Sequence, residues 1–223
     1  MNKGQLFTFF REQEPSVLLS FLAAAFDEMT TDQREAVFGH TIRQAKPLHV
    51  HGPLLLEQVK QFENESLAGR YFTPFQINSK NCMHIPEETK AWFERLGDLL
   101  TDSELLSRQG DHTGAVACFR ILYELVEAMC RGEEIIFADE YGTWMISVDE
   151  KRIIGAYLKS LAATSTPEEY ARSALPLILR DSCESFSNDT FSAAIAAAKK
   201  AQKDTLKAEV VRLGVRTEPT WRK

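Results

Sequence analysis

The chain of 223 residues lacks every short motif that would identify a catalytic or nucleotide-binding class. It has no glycine-rich phosphate loop, no Gly-x-Ser-x-Gly nucleophile turn and no paired Cys-x-x-Cys. It also lacks an apolar run of the roughly 18 to 20 residues that a membrane-spanning helix needs. These absences leave no basis for naming a reaction, and they favour a protein that is not an enzyme.

Basic residues are also scarce. The 26 lysines and arginines are outnumbered by 32 aspartates and glutamates, which gives a formal net charge of -6. Nucleic-acid binding requires clustered cations that displace counterions, so no nucleic-acid partner is expected. A composition of 44% hydrophobic and 26% charged residues is typical of a soluble globular protein.

The four cysteines, Cys82, Cys118, Cys130 and Cys183, are scattered along the chain. Two of them, Cys118 and Cys130, fall on the apolar face of one predicted helix, where a reduced cysteine acts as a small hydrophobe. This favours a reducing compartment, and hence a cytoplasmic protein. No membrane partner is expected, because no apolar run is long enough to span a bilayer. The apolar run from Val17 to Phe26 follows acids and a proline, so it indicates a buried first helix rather than a signal peptide.

Apolar residues recur at helical spacing through almost the whole chain. Prolines at first-turn positions and capping residues mark the expected helix starts. These starts lie at Pro15, Thr31 or Asp32, Pro53, Pro86, just after Gly110, Asp149, Thr166, and Asn188 or Asp189. The last helix is expected to run through Leu206 and to end near Gly214, and Pro176 should kink or shorten the helix before it.

The segment 105–130 predicts a two-helix hairpin. Its turn is at Gly110, Ala115 lies where two helix axes approach closely, and Phe119 follows one turn later. This spacing is typical of the middle of a tetratricopeptide repeat. The predicted fold is therefore all-α, with antiparallel helix hairpins stacked as a tetratricopeptide-like bundle or short solenoid. One domain is expected over 1–214, with an extended connector at 70–86 and a frayed tail at 215–223.

The segment 134–148 interrupts the helical pattern. Two short apolar runs, 135–138 and 144–148, flank Asp139, Glu140, Tyr141 and Gly142. This arrangement favours a small β-hairpin, with an ordered loop as the alternative.

The run from 91 to 148 resembles a helical module of uncharacterised bacterial, tetratricopeptide-like proteins, some of which accompany SWIM-type zinc-finger regions. The resemblance lies in the helix–turn–helix, the Gly-acid-acid-Ile pattern after it, and the Asp-Glu-x-Gly-x-Trp turn. It covers about a quarter of the chain and implies a surface that binds proteins. No catalytic residue is carried over, and the run lacks the cysteine and histidine pairs of a SWIM finger.

The acidic turn, defined here as residues 133–140 with Tyr141 and Trp144, is the candidate site. Docking of a protein partner is one interpretation of its carboxylates and aromatic side chains, because exposed aromatic residues often anchor interfaces. The alternative for Trp144 is a core residue that closes the core under the loop. Two other interpretations remain open: a solvated loop whose acids cap helices, and a general acid–base or hard-cation site. The residues of this candidate partner-binding site are Glu133, Glu134, Asp139, Glu140, Tyr141 and Trp144.

Possible metal ligands occur only as separate pairs, called half-sites here, and each pair has too few ligands to hold a metal ion. His49 and His51 form one pair, and Cys82 and His84 form another, but nothing in the sequence brings the pairs together. Neither a bound metal nor a cofactor is therefore expected.

Two functions from different classes follow from this pattern. The first is a protein-interaction or accessory protein with a helical-repeat-like fold and an unidentified protein partner. The second is a small helical hydrolase or metal-dependent enzyme that uses the acidic region 133–140.

Overall fold

The computed structural model describes residues 3–39, 49–137, 142, 145–179 and 184–214. Every regular element in these residues is helical, which confirms the predicted all-α class. The tetratricopeptide-like order of stacking remains a prediction. Contacts divide the chain into two compact units, 1–48 and 49–223, where the sequence predicts a single domain over 1–214. The predicted frayed tail, 215–223, lies outside the described residues.

The first unit contains two helices, α1 (Lys3–Arg11) and α2 (Pro15–Asp27). A short α3 (Thr31–Arg34) follows and continues as a π-helical turn over Glu35–Gly39. Helix α2 begins at Pro15, which confirms the predicted start. A proline is favourable at this position because a first-turn residue donates no helical hydrogen bond. Its predicted burial is wrong, since neither α1 nor α2 contains a buried residue.

The second unit contains seven helices among its described residues. They are α4 (Gly52–Leu67), α5 (Glu87–Arg108), α6 (His112–Cys130), α7 (Glu150–Thr164), α8 (Pro167–Leu179), α9 (Glu184–Ala197) and α10 (Lys200–Arg212).

Helices α4, α5 and α6 alternate in direction. At one end, Ser66 in the last turn of α4 accepts a hydrogen bond from the indole N–H of Trp92, early in α5, at 2.9 Å. At the other end, Asp111 caps α6 by accepting from the Gly114 N–H at 2.9 Å. A Cβ atom at Gly52, the first residue of α4, would collide with the Asp111 carboxylate. The absence of a side chain at Gly52 therefore lets the first turns of α4 and α6 approach.

The predicted hairpin between α5 and α6 is confirmed. Gly110 at the turn has a φ of +90°, a left-handed conformation that glycine adopts without strain. Ala115 is fully buried in the first turn of α6. Helix α6 packs against α4, α5 and α7, so its expected place as the central helix is also confirmed. Cys118 is buried on this helix, but Cys130 is exposed in its last turn, contrary to the prediction.

The remaining helices extend this packing in one direction. Helix α7 contacts α5 and α6, and α9 and α10 then pack on α7 and α8 respectively. The buried Glu104 carboxylate joins α5 to α7, since it accepts from Arg108 at 2.6 Å and from Arg152 at 3.2 Å. Burial raises the pKa of Tyr170, whose hydroxyl donates to the Ala194 carbonyl at 2.7 Å and joins α8 to α9.

Helix α8 begins at the capping box expected at Thr166. The Thr166 N–H donates to Glu169 Oε2 at 2.9 Å, and the Glu169 N–H donates to the Thr166 hydroxyl at 3.3 Å. Pro176 lies inside the helix, which ends one turn later at Leu179.

The predicted last helix, from Asn188 or Asp189 through Leu206, is wrong because it is two helices with a break at Ala198 and Lys199. The cause is the buried side chain of Gln202. Its Oε1 accepts from the Lys199 N–H at 2.8 Å, and its amide donates to the carbonyls of Ala162 and Ser165. These bonds, which connect residues distant in sequence, start α10 where no glycine or proline marks a boundary.

The predicted connector, 70–86, is non-helical. Its aromatic rings attach it to the helical core, with Tyr71 against Phe62 at 5.7 Å between centroids and Phe75 against Phe137 at 5.0 Å. The β-hairpin predicted at 134–148 has no strand in its described part, 134–137, 142 and 145–148. Ile135 and Ile136 lie in a turn, and their side chains are buried. Packing against the helices, and not pairing of strands, therefore covers these side chains.

No helix in the described part of the chain is long and apolar enough to cross a membrane.

Replacement of the buried Ala115 by leucine should destabilise the second unit. Three additional carbons would overpack the start of α6, at a cost of roughly 1–3 kcal/mol of unfolding free energy. Urea denaturation measures this change, and Ala91→Leu, at an exposed position of α5, is the matched control. Equal stability of the two variants would contradict the close packing at Ala115.

Replacement of Gln202 by alanine should also destabilise the fold. The change leaves the buried carbonyls of Ala162 and Ser165 without their donor, which costs roughly 1–3 kcal/mol. The exposed Gln61, which bonds only to the neighbouring Glu65 at 2.9 Å, provides the control Gln61→Ala. Thermal melting of both variants tests the difference, and a wild-type Tm for Gln202→Ala would argue against this account of the helix break.

Candidate binding cleft

Two of the six predicted site residues, Glu133 and Glu134, lie in the described chain, and both are exposed just after α6. Glu133 accepts from Arg131 Nη2 at 2.7 Å and from its Nε at 3.2 Å. The other four predicted residues, Asp139, Glu140, Tyr141 and Trp144, lie outside the described residues. The docking role of this turn therefore stays a prediction.

The histidine and cysteine half-sites are not brought together. In the described part of the chain, no group of three or more histidine, cysteine or acidic side chains is placed to hold a metal ion. His84 packs its ring on Phe75 at 5.4 Å between centroids. His112 Nδ1 is 3.2 Å from the hydroxyl of Ser160, a fully buried residue that no substrate could reach.

A cleft of about 550 Å³ lies between α6, α7 and α8. Helix α6 supplies one wall, and α8 supplies the other together with Thr164 and Ser165 at the end of α7. The lining residues are Val116, Arg120, Tyr123, Glu124, Glu127, Tyr157, Thr164, Ser165, Glu169, Arg172, Ser173, Pro176 and Leu177.

Two tyrosines form the base of this cleft. The rings of Tyr123 and Tyr157 are stacked, with centroids 5.6 Å apart and planes inclined by 8°. Phe119 lies behind them, 5.1 Å from the Tyr157 ring. Both tyrosines are more than nine-tenths buried, so their rings are held in fixed positions by the core.

The rim of the cleft carries both signs of charge. Arg120 and Arg172 are the cations, and Glu124, Glu127 and Glu169 are the acids. The hydrogen bonds between Glu169 and Thr166 lower the pKa of this carboxyl, and the nearby Arg172 and Arg120 lower it further. Glu169 is therefore a fixed negative charge that also caps α8.

Burial raises the pKa of Tyr157, although the Arg120 guanidinium, which bonds to it, partly opposes this shift. The phenol therefore stays protonated at neutral pH and can donate a hydrogen bond but cannot act as a base. None of the lining residues in the described part of the chain is a histidine, cysteine or aspartate. The cleft therefore combines aromatic rings at its base with hydroxyl groups and with charges of both signs at its rim.

A second groove lies on the other side of α8, between α8 and α10. Ala171, Leu175 and Leu179 form its apolar part, and Arg172 and Pro176 belong to both grooves. Helix α8 is therefore accessible along two faces.

The sequence alone does not reveal this cleft. The spacing of Phe119 and Tyr123 places two aromatic rings on one face of α6, and this signal was available. Tyr157 is 34 residues further on, and only the packing of α7 on α6 brings it onto Tyr123. The spacing of apolar residues along a single helix does not show which residues of another helix will pack against it.

Comparison with known protein families, with curated proteins and with solved structures found no match.

The buried phenol of Tyr157 should make folding sensitive to alkaline pH. Its pKa is raised from the usual 10.0, so its stabilising contribution is present below about pH 10 and is lost as pH rises through the folded-state pKa. Tyr157→Phe should therefore lose less stability than the wild type between about pH 9 and about pH 11. Urea denaturation at both pH values measures this. An identical loss in the two proteins would show that Tyr157 ionises as freely as an unfolded tyrosine.

Proposed function

We propose that the protein is a helical protein-interaction module that receives a peptide segment of its partner in the cleft between α6 and α8. The observation that carries this proposal is a buried, stacked tyrosine pair at the base of a cleft whose rim holds charges of both signs. Tyrosine and arginine are enriched among the residues that dominate interface energies.

The size of the cleft limits what it can hold. A volume of about 550 Å³ lies within the range of roughly 300–1,000 Å³ that small-ligand sites occupy. That volume fits a few side chains of a peptide rather than a whole protein surface. The partner therefore inserts a short segment and makes its other contacts outside the cleft.

The lining also defines the chemistry of that segment. The rings of Tyr123 and Tyr157 and the side chain of Leu177 suit an apolar or aromatic residue. Arg120 and Arg172 suit an acidic residue, and Glu124 and Glu127 suit a basic one. We therefore expect a segment that combines an aromatic or aliphatic anchor with charges of both signs.

The second functional hypothesis, an enzyme that uses the acidic region 133–140, has less support. Of its acids, the described Glu133 is engaged by Arg131, and Asp139 and Glu140 lie outside the described residues. A cytoplasmic site of action remains part of the proposal. It is supported by the free thiols of Cys82 and Cys118. Burial raises the pKa of the Cys118 thiol to about 11 and keeps this thiol unreactive.

Charge reversal in the cleft should weaken partner binding. Peptides selected from a random displayed library against the wild-type protein provide the probe. We expect the double variant Arg120→Glu with Arg172→Glu to bind them at least about tenfold more weakly, a loss of about 1.4 kcal/mol. Isothermal titration calorimetry measures the dissociation constants, and circular dichroism checks that the variant retains its helices.

The matched control is Lys60→Glu with Lys207→Glu, which makes the same change in net charge at two exposed lysines outside the cleft. It should bind as the wild type does. A second comparison, Glu133→Gln with Glu134→Gln and Glu140→Gln, tests the acidic turn. If that triple variant loses binding and the arginine variant does not, the partner docks at the turn and the cleft proposal is wrong.

A further inference from the structure

The first unit exposes an unusual amount of apolar surface for two short helices. Seven large hydrophobic residues of α1 and α2, and one in the π-helical turn, are between 36% and 66% exposed. Neither α1 nor α2 contains a buried residue. These eight residues are Phe7, Phe9, Val17, Leu19, Phe21, Leu22, Phe26 and Val37.

Helix α2 is apolar on most of its circumference. Successive residues of an α-helix are about 100° apart, so Val17, Leu19 and Leu22 point in three different directions. Ser16 and Ser20 lie together on one side, and no charged residue occurs between Glu14 and Asp27. A helix with so wide an apolar surface is usually covered by more than one neighbour.

The contacts within the unit cover only part of this surface. Phe21 of α2 packs on Phe9 and Phe10 of α1, with centroids 6.0 and 5.4 Å apart. Arg34 donates to the Phe26 carbonyl at 3.0 Å, and its guanidinium lies 4.3 Å from the Phe26 ring centroid. The helices α1 and α2 bury none of their own residues, and a unit as small as 1–48 has little core with which to be stable alone.

We propose that the first unit, through its described residues 3–39, is a dimerisation element whose apolar surface is covered by the same unit of a second copy of the chain. Two α1–α2 hairpins related by a two-fold axis supply four helices, the number that can enclose a common core. Each hairpin would then cover sides of α2 that its own α1 leaves exposed.

The exposed area matches what such a pairing requires. Large apolar side chains offer about 150–250 Å² each, and eight of them at about half exposure present roughly 700 Å². A standard stable interface buries about 800 Å² on each partner. The roughly 700 Å² of exposed apolar surface lies within the range of about 600–1,000 Å² per partner that standard interfaces bury.

The charges of the unit also favour a second copy over a lipid surface. Lys3 and Arg11 lie at the two ends of α1, and Asp27 ends α2, so the middle of both helices is uncharged. Two copies can therefore meet along their lengths without repulsion between like charges. A helix that lies on a membrane needs a polar face rich in cations, and α2 has no such face.

The mass of the full chain in solution tests this proposal. Sedimentation velocity and light scattering at about 10–100 μM should give twice the single-chain mass of 25.3 kDa. The variant Leu19→Lys with Leu22→Lys should sediment as a single chain over the same range. The matched control, Leu54→Lys with Leu67→Lys, alters two leucines of α4 with similar exposure and should remain dimeric.

A second measurement does not depend on a variant that folds. Hydrogen exchange of the wild-type amides of α2 should slow as the protein concentration rises, because dimerisation protects them. Exchange in α2 that does not depend on concentration would overturn the proposal. So would a wild type that is a single chain at 100 μM, or a dimer that persists in the Leu19 and Leu22 variant. A single-chain wild type that floats with phosphatidylcholine vesicles would assign the surface to lipid instead.

Discussion

The burial of α6 is the constraint on which the rest of the second unit depends. This helix carries apolar residues on most of its circumference, and Ala115, Phe119, Leu122, Val126 and Met129 are inaccessible to solvent. A helix of this kind is stable only when neighbours cover more than one side. Helices α4, α5 and α7 supply that cover, and α7 then provides the surface on which α8 and α9 pack.

Polar groups set the ends and the directions of these helices. Asp111 caps α6 beside a glycine in α4, and the Ser66–Trp92 bond aligns the last turn of α4 with the start of α5. Glu104 bonds across to Arg152 in α7, and Gln202 connects α10 to the end of α7. An unbonded polar group in these positions would carry a large desolvation cost, so each bond selects one arrangement of otherwise adaptable apolar faces.

The same packing produces the candidate cleft. Helix α8 packs on α10, α9 and α7. These contacts leave a space between α8 and α6, and the rings of Tyr123 and Tyr157 form the base of this space. Fixed rings and capped helix ends hold the lining in place before any partner arrives. Such preorganisation reduces the entropy lost on binding, which supports the proposal that the cleft is a recognition site.

The sequence by itself determined the class of the fold and most helix boundaries. Pro15, Asp111, Thr166 and Gly110 act through local backbone geometry, which needs no knowledge of the rest of the chain. Tertiary structure alone decided the break at Lys199, the cleft and the division into two units. Gln202 breaks the helix through carbonyls about 40 residues away, and Tyr157 meets Tyr123 only when two helices pack. A pattern read along one helix records which side chains are apolar, but the direction from which each is covered is set by contacts between distant segments.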